Sequence, residues 1–327
     1  MPLAPSPAPP SGRRAGLRAL PLLLRLAARH FGANDPLRLG AATAFFTTFA
    51  LPPIVIILVQ SMGALYSASV ARAMLLTKLQ GVLGVAATGL VDQIVLNVNH
   101  LGRSRLITWA GFAFLLFVAT TLFVVIQNSL NQLWLVHPRR SAGRLRAAAD
   151  QRLRSTAELA VTGLLTAVAF VADGALKLLA DYTRDFDPTF GFVLFRLLNA
   201  TVAWLILAVW CAYTFRTLSA VVVPWPAVRR GAALTAVLIT LGEEVLGFLL
   251  TRRDLGPIYG PAAGIVAVLL FVFYAAMLFY FGACFTRACA QVLGLAIRPK
   301  PGAVRYQVRD ERQPALPHLP GVSTPGK

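Results

Sequence analysis

Acidic residues are what this chain has least of: 13 of its 327 residues are Asp or Glu, and all charged residues together make up 13%, about half the share in an ordinary soluble domain. A soluble enzyme of this length needs far more charge to cover its surface, so that class is set aside first. Cysteine is scarce too. Cys211, Cys284 and Cys289 all fall inside apolar runs, and no disulfide framework is implied. The four histidines, His30, His100, His137 and His318, are scattered without metal-ligand spacing. There is no phosphate loop ending in Gly-Lys-Ser/Thr, no nucleophile elbow, and no Cys-His pair with an orienting acid. Primary ATP-driven transport and hydrolase chemistry therefore have no visible site. No catalytic residue, metal or cofactor is expected.

What the chain has instead is apolar length. Hydrophobic residues make up 57% and the mean hydropathy is +0.67. Six segments, 39–65, 106–132, 157–180, 190–215, 231–250 and 259–291, are long enough to cross a hydrocarbon core of about 30 Å, which takes roughly 20 helical residues. The expected fold is all-α: a polytopic membrane helix bundle of about six transmembrane helices filling 39–291. Residues 66–105 carry Leu75, Leu79, Val82, Leu83, Ala86, Leu90 and Ile94 at helical spacing, with Arg72, Lys78, Gln80, Asp92, Gln93 and Asn97 among them. That mixture reads as one or two amphipathic extracytoplasmic helices over the ends of the bundle. Residues 1–12 read as a disordered, Pro-rich leader and 292–327 as a disordered, Pro-rich and charged tail. Between leader and bundle, 13–38 repeats Leu17, Leu20, Leu24, Ala28 and Phe31 on one stripe and Arg14, Arg18, Arg25 and Arg29 on another. This is a basic amphipathic interfacial helix; a cleaved signal or transit peptide is the alternative, against which Arg25 and Arg29 interrupt the apolar stretch.

Lys and Arg total 31 against 13 acids, a formal charge of +18. Assigned to alternating sides of six spans, 22 of them fall with the two termini and 7 on the other side. Both termini are therefore expected in the cytoplasm, in a multi-pass protein of a bacterial cytoplasmic (inner) membrane. The run from Arg139 to Arg154 reads as a contact for anionic lipid headgroups on that face rather than for nucleic acid. Membrane lipids are the expected partners, and nothing specific to nucleic acid appears. A homo-oligomer is compatible with the sequence.

Five ionisable residues lie within the spans: Asp173, Lys177, Arg196, Glu243 and Glu244. Buried in lipid, each needs a partner or water. Counting about 1.5 Å per residue, Asp173, Arg196 and Glu243 share a level roughly 10 Å below the outer surface. Asp173 and Lys177 are spaced for an i,i+4 ion pair. Two readings stand: a polar cavity that binds a headgroup or relays a proton, or a structural network tying three spans together. Pro52 and Pro53 interrupt the first span and predict a kink, with Thr43, Thr47 and Thr48 placed to serve freed backbone groups; it is either static or the wall of a cavity. At the inner end of the second span Gln127, Asn128, Asn131, Gln132 and Trp134 form a polar cluster, read as helix-to-helix hydrogen bonding beside an interfacial Trp.

Several stretches together resemble the YihY/BrkB family of bacterial inner-membrane proteins. They are Ala41-Ala42-Thr43-Ala44-Phe45-Phe46 leading to Leu51-Pro52-Pro53; Ile126-Gln127-Asn128-Ser129-Leu130-Asn131-Gln132-Leu133-Trp134; Pro224-Trp225 followed by Gly231-Ala232-Ala233; and Tyr259-Gly260 continuing to Phe281-Gly282-Ala283. The resemblance covers roughly 39–291 and implies six helical spans with both termini inside. Some relatives carry an old ribonuclease BN label, for which this sequence offers no metal ligands; others are described as virulence-associated proteins or exporters. The pattern departs at Phe45-Phe46, where relatives carry Tyr, and at Cys284, where they carry Glu. The functional expectation is a transporter or flippase-like exporter of an amphipathic or anionic envelope component. The alternative is a non-transporting scaffold that organises lipids or partner proteins.

Overall fold

The computed structural model describes residues 19–63, 68–98, 105–138, 188–252, 256–300 and 303–305, with a discontinuous set between 153 and 175. Its helices are α1 (Leu20–Gly32), α2 (Pro36–Gly63), α3 (Ala68–Val98), α4 (Arg105–Leu133), α5 (Pro188–Thr217), α6 (Trp225–Arg252), the single turn α7 (Gly256–Tyr259) and α8 (Ala263–Val292). Four short strands, β1 (Val136–Pro138), β2 (Val221–Val222), β3 (Arg298–Pro299) and β4 (Ala303–Arg305), complete them. By length and composition, Arg196–Thr217, Trp225–Leu249 and Ala263–Val292 are long and apolar enough to cross a membrane.

The bundle is built around α8, which packs against α1, α2, α3, α4 and α6. Phe279, Tyr280 and every residue from Gly282 to Ala290 are buried. A helix enclosed on all sides must let neighbours come close, and small residues provide the room. A methyl at Gly231 of α6 would sit 1.7 Å from Thr286 Oγ1, and one at Gly282 of α8 would sit 1.8 Å from Thr235 Oγ1. The crossing is thus reciprocal: each helix offers a glycine and, four residues on, a threonine that fills the other helix's glycine notch. Both hydroxyls are satisfied within their own helices, Thr235 on Gly231 O at 2.7 Å and Thr286 on Gly282 O at 2.9 Å.

Several expectations change. Helix α2 begins at Pro36 and continues through Pro52 and Pro53 to Gly63. The Thr43, Thr47 and Thr48 hydroxyls donate to the carbonyls of Leu39, Thr43 and Ala44, a turn before the carbonyls of residues 48 and 49 that the prolines release; they do not serve the freed groups. In α3, Arg72 Nη2 and Asp92 Oδ1 lie 2.6 Å apart, although 20 residues of straight helix would separate them by about 30 Å. The segment therefore doubles back, and Leu75 and Val91 meet Val55 of α2 in a small core. Its two arms pack against α2, α6 and α8.

Helix α1 buries Leu23 and Ala27 and leaves Leu20 and Ala28 exposed, so its buried stripe is displaced from the one the sequence spacing predicts. The reason is that α8, besides lipid, supplies an apolar surface: Phe31 stacks edge-on against Phe281 with centroids 5.7 Å apart. Residues 13–18 lie outside the described residues. Residues 298–299 and 303–305, expected within the tail, form short strands. Strand β3 pairs antiparallel with β2, and β4 with β1, because the connections after α4 and α5 present unpaired strand edges to the returning chain. Residues 295–300 and 303–305 form a strap across this strand-bearing end of the bundle.

Candidate functional site

Of the five charges expected within spans, Asp173 and Lys177 lie outside the described residues. Arg196 stands eight residues into α5, and Glu244 eight residues before the end of α6. At about 1.5 Å per residue both are about 12 Å from the ends remote from the strands. The two helices pack side by side. Arg196 and Glu244 are exposed and Glu243 is half-buried; adjacent helical residues diverge by about 100°, so one carboxylate turns inward while its neighbour turns out. Leu241, Val245 and Phe248 surround Glu244 on the exposed face. Among the described residues no ion pair joins Arg196 to either glutamate. The structural network read from the sequence is thus not seen among these three residues. What is seen is a charged level on an exposed, otherwise apolar surface.

The residues of the polar cluster at the end of α4 occupy distinct positions. Asn131 Oδ1 accepts the Ala220 backbone N–H at 2.8 Å, tying α4 to the entry of β2. Gln132 accepts from Arg38 Nη2 at 3.0 Å and donates to Asn34 O at 3.3 Å, tying it to the α1–α2 turn. Asn128 is exposed. Gln127 is buried, and its Oε1 has no hydrogen-bond partner. Trp134, expected at the water interface, is 2% exposed; its Nε1 donates to Ala283 O at 3.4 Å and its ring meets Phe215 edge-on. The strap and β1 cover it, which is why it does not reach the interface. Trp225, half exposed, with Arg216 4.4 Å above its ring, holds the more accessible position.

Three groups that sequence reasoning did not single out complete this end. Tyr280 of α8 joins Thr43 of α2 at 2.5 Å and hydrogen-bonds Ser129 of α4, so one phenol links three helices. Arg287, 8% exposed, donates from Nη1 to Leu133 O at 2.6 Å, and Lys300 Nζ donates to Arg216 O and Thr217 O. Each cation closes a helix C-terminus, where carbonyls lack partners and the dipole is negative. The signal for Arg287 and Tyr280 was present: the pair stands one seven-residue step apart on a run otherwise too apolar to carry either without a partner.

Geometry and composition together define an all-α membrane helix bundle with a centrally enclosed helix. A family model described as virulence factor BrkB matches residues 27–306, and the chain belongs to that family. No curated protein and no solved structure matches it. The glycines of Gly231-Ala232-Ala233 and Phe281-Gly282-Ala283, which carry part of the resemblance, are the ones that face each other's threonines.

Proposed function

We propose that this protein moves an amphipathic, anionic component of the cell envelope across a bacterial cytoplasmic membrane, with both termini in the cytoplasm and about six spans. The observation that carries the reading is the level formed by Arg196, Glu243 and Glu244. Charges within a spanning helix cost several kcal/mol or need water, and where they occur they mark pathways. A guanidinium beside carboxylates on a lipid-facing surface suits a substrate whose charged headgroup travels along protein while its tails stay in lipid. Arg196 meets the anionic group, and the glutamates set the local field.

Purified protein reconstituted in liposomes tests this by lipid scrambling or export. Wild type is expected to be active. Arg196→Ala and the double variant Glu243→Gln/Glu244→Gln are expected to lose activity while remaining monodisperse and folded. Inactive wild type across anionic and zwitterionic lipids, with and without a proton gradient, overturns the proposal in favour of a scaffold that organises lipids or partners through the exposed basic residues of α1.

A further inference from the structure

Helix α1 has one face on α8 and an exposed one opposite. Leu23 and Ala27 are buried; Arg25, about 180° around the helix from their midpoint, is exposed together with Leu22, Ala28 and Arg29. We propose that this second face binds anionic lipid headgroups of the leaflet at the strand-bearing end, with Arg25 and Arg29 on the phosphates, so that the charge of the leaflet strengthens the docking of α1 on α8.

The direction of α1 carries the assignment. His30 Nε2 lies 2.9 Å from Gln291 Oε1, and the next residue, Phe31, meets Phe281 with centroids 5.7 Å apart. Gln291 and Phe281 stand about 15 Å apart along α8, whereas neighbouring residues of α1 advance by only about 1.5 Å and diverge by about 100°. A helix running alongside α8 would spread two neighbouring side chains around it; one that crosses α8 spreads them along it. Helix α1 therefore lies across the last turns of α8. The 30 residues of α8 reach about 45 Å, more than a hydrocarbon core of about 30 Å, so in a membrane its last turns stand where acyl chains meet headgroups. At that depth the exposed face of α1 points sideways from the bundle, Leu22 suits the tails, and Arg25 and Arg29, one turn apart, reach the headgroups. Both guanidinium groups stay charged at any working pH. Residues 13–38 hold six arginines and one acid, Asp35, which sits beside Arg38 at 4.0 Å. Near an anionic surface each arginine is worth about fivefold in binding, and lipid held on one face of a docked helix favours the docked state by mass action.

The test reads hydrogen exchange of α1 in the full chain, at one fixed pH, in nanodiscs of phosphatidylcholine and in nanodiscs of phosphatidylcholine with phosphatidylglycerol. Protection of the α1 amides is expected to be about tenfold higher in the anionic discs and to fall with added salt. Arg25→Gln/Arg29→Gln should abolish the difference, while Arg229→Gln/Arg230→Gln, at two exposed arginines of α6, should keep it. Arg25→Lys/Arg29→Lys retains the charge and should keep most of the difference; it decides the matter if the Gln variant leaves α1 loose in both kinds of disc. Equal protection of wild-type α1 in the two discs, a difference that survives in the Gln variant, or one that is lost in the Lys variant overturns the proposal. None of these readouts depends on transport.

Discussion

Arg287 shows how one residue of an apolar helix can hold a neighbouring element in place. Its bond to Leu133 O replaces an N–H that the end of α4 lacks. Arg287→Gln is expected to lower stability by about 1.5–3 kcal/mol, the usual worth of a hydrogen bond to a charged group, measured by thermal or denaturant unfolding in detergent. His30 belongs to the same neighbourhood but outside the spans. Burial, reinforced by the charge of Arg287, holds its imidazole below the ordinary value of 6.5, against the opposing pull of the Gln291 hydrogen bond. Because the folded state prefers the neutral ring, its contribution to α1 docking is present above pH 6.5 and is lost as pH falls from there through the lowered folded value. The hydrogen-exchange protection factors of α1, corrected for the intrinsic slowing of exchange as pH falls, should therefore drop in mild acid, and the dependence should flatten in His30→Gln; an unchanged pH profile in that variant contradicts the assignment.

At the scale of elements, the reciprocal crossing of α6 and α8 makes the sharpest demand on sequence. A methyl at Gly282 meets Thr235 Cβ at 2.8 Å as well as the hydroxyl, so side-chain rotation alone does not relieve it. Gly282→Ala is expected to cost about 1–3 kcal/mol, the range for overpacking, seen as reduced yield and a lower melting temperature. Thr235→Ala in the same chain should recover part of the loss by removing the hydroxyl, while leaving the Cβ contact. Full recovery would mean that the two backbones can separate. The doubled α3 rests on an ion pair of two side chains each about one-third exposed, which is worth little by itself. Arg72→Ala should therefore leave the small core of Val55, Leu75 and Val91 intact, as read by proteolysis.

For the whole molecule, the strap joins the connections after α4 and α5 to the end of α8 through two antiparallel strand pairs and the Lys300 bonds. Ending the chain before Arg298 is expected to lower the melting temperature and to make the end of α5 protease-sensitive; unchanged protection would show the strap to be dispensable. Orientation is open to a separate test. Under the proposed orientation, alkaline phosphatase fused after residue 327 should be inactive in cells and a fluorescent protein there bright, the outcome that the charge bias predicts.

Much of this architecture was legible in the chain. Composition and the length of apolar runs determined a helical membrane bundle, because a backbone in lipid must satisfy its own hydrogen bonds and a helix does so locally. The limits of α5, α6 and α8 fall within a few residues of those read from hydropathy, apart from the six residues by which α6 begins earlier. Sequence spacing puts Asp173, Arg196 and Glu243 at one expected depth, since rise per residue is fixed, and of these Asp173 lies outside the described residues. What hydropathy does not encode is which side of a helix meets protein rather than lipid, as both are apolar. The tertiary structure alone therefore decided that α8 stands at the centre, that α1 turns Leu23 and Ala27 inward, and that Trp134 is enclosed. It alone also folded α3 back on itself and drew residues 298–299 and 303–305 into strands, because those outcomes depend on partners far away in the sequence whose free edges and charges appear only once the helices have packed.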